Sequence, residues 1–238
     1  MTRLKHITFT GIDERVDVAQ LCSIQKEYPI AEFGILTSYH WYENGNRYLD
    51  PRMIRNFLGK GLNLSLHICG SAAHDAAYGN YGDINFLTYG TYAHIPRIQL
   101  NISERKDNPD VVRSTPYGHE VIIQQRDPNN LNPFSLTRKK WKDYLGSLSI
   151  LLDASGGRGI NTPLSVLPLS CKVGYAGGFN PDNVSEKLSY LLANHTTGEF
   201  WIDMESGVRT DDWFDLDKVT KVLETCELVI KDYYNTTS

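Results

Sequence analysis

The sequence predicts an α/β protein, a single (β/α)8 barrel spanning residues 1–238. Three observations carry that expectation. Eight apolar runs of strand length recur along the 238 residues, separated by helix-patterned or turn-rich segments. Each strand-plus-connection unit takes about 30 residues, the spacing of βα repeats, and the total length suits one barrel. Several strands also carry polar residues on one face: Asn63, Ser65 and His67; Gln99 and Asn101; Trp201, Asp203 and Glu205. Alternation places such residues on one side of a strand, and a barrel mouth is where a polar side is wanted. A doubly wound sheet is the main rival, since counting strands alone does not separate the two.

In chain order, His6–Thr10 reads as the first strand, followed by a helix over Val16–Glu27. Ala31–Leu36 is the second, followed by a polar-aromatic loop and a helix over Pro51–Leu58. Leu62–Ile68 is the third, with a Gly/Ala/Tyr-rich segment behind it. Arg97–Ile102 and Val121–Gln125 are the fourth and fifth, and Thr137–Leu145 is a helix. Leu148–Asp153, Cys171–Ala176 and Phe200–Met204 complete the set. A last helix over Leu216–Lys231 puts Val219, Val222, Leu223, Cys226 and Val229 on one face.

Composition excludes several classes. Hydrophobic residues at 41% and charged residues at 22% are ordinary globular values, which argues against a disordered or membrane protein. The net charge of −4 includes no basic stripe, so no nucleic-acid partner is expected. No run approaches the roughly 18 apolar residues of a membrane span, and the N-terminal segment lacks the apolar core of a signal peptide. The expected location is cytoplasmic. Four scattered cysteines lack metal-ligand spacing, so neither a metal nor another cofactor is expected.

Near residue 175 the chain runs from a buried strand into Gly177-Gly178, then Asn180-Pro181-Asp182-Asn183, then a helix with Val184, Leu188, Leu191 and Leu192 on one face. Asn180 suits an N-cap and Pro181 the first helical turn. Glycines here let a ligand approach the backbone, and a helix N-terminus favours anions. Taken alone, the stretch fits a tight connection as well as it fits a phosphate site. Gly157-Arg-Gly159 one strand earlier and Ser206-Gly207 one strand later tip the balance toward phosphate.

Four stretches resemble the phosphoribosylanthranilate isomerase family. Tyr175-Ala-Gly-Gly-Phe-Asn-Pro-Asp-Asn-Val184 is similar to that family's phosphate-binding seventh strand and loop, and Ile202-Asp-Met-Glu-Ser-Gly-Val208 to its eighth. Leu151-Leu-Asp-Ala-Ser-Gly-Gly-Arg-Gly159 resembles the sixth strand, which ends in the family's catalytic aspartate. Asn46-Arg-Tyr-Leu-Asp-Pro51 resembles the segment whose arginine holds the anthranilate carboxylate. The fourth strand, Ile98-Gln-Leu-Asn101, keeps the family's Gln but has Asn where His is usual. The family's first strand ends in a cysteine that acts as general base. This chain reads Phe9-Thr-Gly-Ile-Asp13, with Thr10 at that position.

The resemblance implies a tryptophan-pathway type of chemistry, an Amadori aldose–ketose isomerisation of a phosphoribosylated amine. Asp153 would be the acid, its pKa raised by burial. Arg47 would fork a ligand carboxylate, beside Gln99. Gly157, Gly159, Gly177, Gly178, Ser206 and Gly207 would hold phosphate through backbone donors. A threonine hydroxyl is too weak a base to replace a thiolate, which leaves Asp13, His67 and Glu205 as candidates; His67 has the most suitable ordinary pKa. Each has a bland alternative: an inward His is often structural, and Asp203 and Glu205 could pair with Arg158 or Arg209. The longer aromatic loop, with Tyr39, His40, Trp41 and Tyr42, implies a different or bulkier ligand or a more closed lid. A diverged phosphosugar or nucleotide enzyme of another reaction class, or a non-catalytic barrel that captures a phosphorylated ligand, stays open. The expected partner is a small phosphorylated sugar or nucleotide-like molecule, and the expected assembly a monomer or homodimer.

Overall fold

A computed structural model describes residues 3–43, 45–77, 80–102, 119–126, 147–153, 155, 159–166, 172–195 and 198–237. Eight strands pair in parallel, in chain order: β1 (Leu4–Thr10), β2 (Ala31–Thr37), β3 (Leu64–Cys69), β4 (Arg97–Asn101), β5 (Glu120–Gln125), β6 (Ser147–Leu152), β7 (Lys172–Tyr175) and β8 (Phe200–Met204). β8 closes onto β1, with Ile7 opposite Ile202 and Thr8 opposite Asp203. The doubly wound alternative is thereby removed, because an open sheet has two edges and this one has none.

The connecting helices follow the apolar pattern, with boundary shifts that have local causes. α1 (Val18–Glu27) starts two residues later than expected because the Asp17 carboxylate accepts from the Ala19 N–H at 2.8 Å and caps it. The segment expected as a helix after the aromatic loop is a short 3-10 turn, Pro51–Asn56, capped by Asp50. The Gly/Ala/Tyr-rich segment forms α2 (Ser71–Ala77) and α3 (Tyr81–Leu87). α4 (Val184–Asn194) buries the four predicted residues, Val184, Leu188, Leu191 and Leu192. α5 (Leu216–Thr237) runs six residues past its expected end and buries Val219, Val222, Leu223 and Cys226. Each such aliphatic side chain contributes roughly 1.5–3 kcal/mol on removal from water. The helix expected over 137–145 lies outside the described residues.

Alternate strand residues divide the molecule into two environments. Outward-facing Ile7, Phe9, Phe33, Ile35, Leu66 and Ile98 belong to the large apolar shell beneath the helices. Inside the barrel the lower layer is ionic. Arg97 donates to Glu32 at 2.6 and 2.7 Å, and its Nε lies 3.5 Å from Glu120, all three groups being buried or nearly so. Above it Ile122, Leu151 and Trp201 form a small apolar plug, with the Arg97 guanidinium 4.6 Å from the Trp201 ring. The indole occupies the space that a side chain at Gly174 would need. This plug seals the ionic layer from the barrel mouth, so the polar groups above it form a separate site.

Candidate active site

Above the plug, the C-terminal ends of the strands line a small cleft of about 60 Å³. β1 supplies Thr10, β3 His67, β4 Gln99 and Asn101, and β8 Asp203. Asp153 follows β6 directly. The turns after β7 and β8 close the remaining side through Gly177, Gly178, Ser206 and Gly207, with Gly159 beside them.

Asp203 is the most perturbed carboxyl in the cleft. It is buried, and its Oδ1 accepts from the Thr10 hydroxyl at 2.8 Å. Desolvation pushes its pKa up to about 8; the Thr10 hydrogen bond opposes this, while the negative fields of Glu32, Asp153 and Glu205 add to it. Asp153 stands on the β6 side, where it accepts from Gln124 Nε2 at 2.7 Å, from Ser155 Oγ at 2.7 Å and from the Ser155 N–H at 3.0 Å. It therefore also braces the first turn of its own loop. Gly34 on β2 leaves room between these walls: Thr10 Oγ1 and His67 Nε2 both reach within 3 Å of where a Cβ would stand.

The β4 side is a relay of side-chain amides. Asn101 Nδ2 donates to the Cys69 sulfur at 3.2 Å, so its oxygen faces Gln99 and accepts from Nε2 at 2.9 Å. Among the described residues the buried Gln99 oxygen has no hydrogen-bond partner. Cys69 itself, next to the Tyr48 hydroxyl, has its thiol pKa raised by burial and is not a ready thiolate.

Arg47 reaches the mouth from the loop after β2. Its Nε donates to Asp212 at 2.8 Å, and its Nη1 donates to Glu205 at 2.9 Å and to Ser206 Oγ at 3.2 Å. Glu205 has its pKa raised by burial, with Arg47 pulling the other way. Across the mouth, the glycine turn is held rigidly. Gly178 takes φ +70, and a Cβ there would meet the Asn161 backbone at 2.7 Å. Lys187 Nζ donates to the carbonyls of Gly177 at 2.6 Å and Thr162 at 3.2 Å, so this ammonium locks the turn from behind and does not point into the cleft. Asn180 caps the turn and not the helix, accepting from Asp182 N and Asn183 N at 2.9 and 3.1 Å.

Comparison with known proteins fits this arrangement. The profile of the N-(5′-phosphoribosyl)anthranilate isomerase family matches residues 93–225, more than half of the chain. The chain belongs to that family. A phosphoribosyl anthranilate isomerase solved with reduced 1-(o-carboxyphenylamino)-1-deoxyribulose 5-phosphate superposes with a TM-score of 0.54 at 15% identity, covering 94% of this chain and 99% of its own. The N-(5′-phosphoribosyl)anthranilate isomerase from Pyrococcus furiosus gives 0.52 at 16%, covering 93% and 98%. At such identities the likeness speaks for the barrel fold. No curated protein sequence matches the chain.

For this phosphoribosylanthranilate isomerase relative, the residues singled out in the sequence fall into three groups. Asp153, Thr10, His67, Gln99, Glu205, Gly159, Gly177, Gly178, Ser206 and Gly207 meet in one cleft, and Arg47 sits at its rim. Asp13 does not line it. Its carboxylate accepts from Arg209 at 3.0 Å and from the Phe214 N–H at 2.7 Å, fastening the segment after β8 to β1. Gly157 and Arg158 lie outside the described residues. His67 is placed in the cleft, but burial lowers its pKa to about 4, which takes away the property that recommended it as a base. Its Nε2 lies 3.0 Å from Ser65 Oγ. The residues that sequence reasoning passed over are Asp203, Gln124 and Ser155. Asp203 was legible as inward-facing, and what pointed away from it was the expectation that a carboxylate beside arginines would simply pair. Among the described residues no three His, Cys, Asp or Glu side chains gather as metal ligands, and no helix is long and apolar enough to cross a membrane.

Proposed function

We propose that the chain isomerises a phosphoribosylated amine by an Amadori rearrangement, with Asp203 as general base and Asp153 as general acid. The observation that carries this is the Thr10–Asp203 hydrogen bond at the mouth. The position that resembles the family's cysteine holds a hydroxyl, and that hydroxyl orients a buried carboxyl. An ordinary aspartate, near 3.9, would be a feeble base for a carbon acid. At about 8, Asp203 approaches the proton affinity of a free thiol, near 8.5. Burial thus supplies what the missing cysteine would have.

The steps need no cofactor. Asp153 gives a proton to the ring oxygen, the C1′–O bond breaks, and the nitrogen lone pair forms a C1′=N iminium. Asp203 takes the C2′ proton, the C2′–H electrons become the C1′=C2′ bond, and the iminium electrons return to nitrogen. The resulting enolamine accepts a proton at C1′ while its C2′ hydroxyl becomes the ketone. Phosphate would be held by the backbone at Gly159, Gly177, Gly178, Ser206 and Gly207. In support, the turns after β7 and β8 approach so closely that a side chain at Gly207 would overlap the Phe179 carbonyl. A concave wall of backbone donors, with helix α4 beginning just beyond it, is the usual construction of a phosphate site.

The test is to mix the protein with phosphoribosylated aryl amines generated in situ and follow ketose formation by NMR. Conversion is expected, reduced 10²- to 10⁴-fold in Asp153→Asn and in Asp203→Asn, the span of general acid–base contributions. Conversion unaffected by either change would sink the proposal.

A further inference from the structure

Two polar side chains on the cleft floor take no part in the proposed acid and base steps. His67 and Gln99 stand opposite each other in the β3–β4 register, both buried and both lining the cleft. Gln99 presents an acceptor. Its Nε2 donates to Asn101 Oδ1 at 2.9 Å, and Asn101 in turn donates to the Cys69 sulfur at 3.2 Å. Turning the Gln99 amide over would set two oxygens against each other, so this relay fixes which end of the amide is free. Among the described residues that oxygen has no hydrogen-bond partner, and a buried acceptor left unpaired is destabilising.

His67 presents a donor. Its Nε2 lies 3.0 Å from the Ser65 hydroxyl, and Ser65 is fully buried, with no other acceptor for that hydroxyl among the described residues. The Ser65 proton therefore points to Nε2, which puts the ring's own proton on Nδ1. Burial keeps the ring neutral, its pKa lowered to about 4, so this N–H donates without carrying a charge.

The place of the pair relative to the reacting carbon follows from Gly34. Thr10 Oγ1 and His67 Nε2 converge on the space that a Cβ at Gly34 would fill, at 2.8 and 2.9 Å from it. Thr10 in turn holds Asp203 at 2.8 Å. A carbon placed to give its proton to Asp203 thus has His67 across the glycine gap and Gln99 beside His67. Of the four groups on C2′, the hydrogen faces Asp203, C1′ leads to the amine and C3′ toward the phosphate turns. The hydroxyl is the group left for this side.

We infer that His67 and Gln99 are a specificity-determining pair for the C2′ hydroxyl, which accepts from His67 Nδ1–H and donates to Gln99 Oε1. This rests on the reading of the cleft as a phosphoribosyl-amine site with Asp203 as base. One hydroxyl, both acceptor and donor, satisfies both side chains at once. A ligand without it leaves them buried and unpaired, and sites built to bind a hydroxyl reject such analogues strongly.

The experiment uses three stable probes: 1-(2-carboxyphenylamino)-1-deoxyribitol 5-phosphate and its analogues lacking the hydroxyl at C2 or at C3. Calorimetry at pH 7.5 gives their affinities for wild type, His67→Phe and Gln99→Leu, with circular dichroism as the check on folding. Wild type is expected to bind the parent probe at least about tenfold more tightly than the 2-deoxy analogue, and to lose less with the 3-deoxy analogue. In each folded variant the gap between parent and 2-deoxy analogue shrinks at least about threefold, because one of the two partners is gone. A 2-deoxy analogue that binds wild type as tightly as the parent, a larger loss for the 3-deoxy analogue, or a gap undiminished in a folded variant overturns the inference and leaves the phosphoribosyl reading intact. Should neither variant fold, the three affinities for wild type decide alone. Failure of all three probes to bind folded wild type overturns that reading and this inference with it.

Discussion

Asp203→Asn is expected to stabilise the protein, and to do so increasingly as pH rises. Asparagine keeps the shape, and its oxygen still accepts from Thr10, whose hydroxyl lies 2.8 Å from Asp203 Oδ1. What it removes is the carboxyl that burial holds protonated up to about pH 8, against an ordinary value of 3.8. The folded pKa is raised, so stability from the neutral acid is complete below about pH 4 and is lost as pH climbs, because only the unfolded chain can release the proton. At pH 7 about three pH units separate solution conditions from the ordinary value, and at 1.36 kcal/mol each the penalty is about 4 kcal/mol. At pH 5 it is between about 1 and 2 kcal/mol by the same arithmetic. With a urea slope of about 3 kcal/mol per molar for a chain of this size, the mutant's midpoint advantage over wild type should widen by nearly 1 M between pH 5 and pH 7. Parallel urea titrations by circular dichroism at fixed ionic strength give that difference. An advantage that does not change with pH would mean that Asp203 titrates like an exposed aspartate, and the proposed base would lose its proton affinity.

Other expectations follow from the same geometry. If Asp203 is the base, kcat/KM should rise with pH and level off above about 8; a fall over that range would make it the acid instead. Thr10→Cys introduced into Asp203→Asn should recover a measurable part of the lost turnover, since it puts a thiol at the position that resembles the family's cysteine. Arg209→Ala should destabilise by about 3–5 kcal/mol, because it strands the buried Asp13 carboxylate without its ion pair, and a thermal melt reads this directly. The His67 ring should show no NMR titration between pH 5.5 and 8, since burial lowers its pKa to about 4.

The barrel was legible because the strands' outward faces are short runs of branched aliphatic or aromatic residues, and the inward faces of β1, β3, β4 and β8 carry polar residues at period two. Helix ends were less so. The Asp17 cap sets the start of α1, and sequence reasoning placed that start at Val16. The glycine turns could be read as a cluster because Gly177-Gly178 and Ser206-Gly207 follow successive strands. The base could not. A threonine at position 10 and an aspartate at 203 are 193 residues apart, and only closure of β8 onto β1 makes them partners. Nor does the sequence show that Asp13 faces away from the cleft, since one residue's difference in a loop decides whether a carboxylate meets substrate or Arg209. The ion pairing of Arg47 was hidden likewise, because its two carboxylate partners, Glu205 and Asp212, lie 158 and 165 residues further along the chain.

The most direct measurement is the fate of deuterium at C2′. A phosphoribosylated aryl amine labelled there should lose its label to solvent as ketose forms, with a primary isotope effect on turnover and both signals abolished in Asp203→Asn. Ketose that retains the deuterium, or label loss that survives Asp203→Asn at the wild-type rate, would contradict the account.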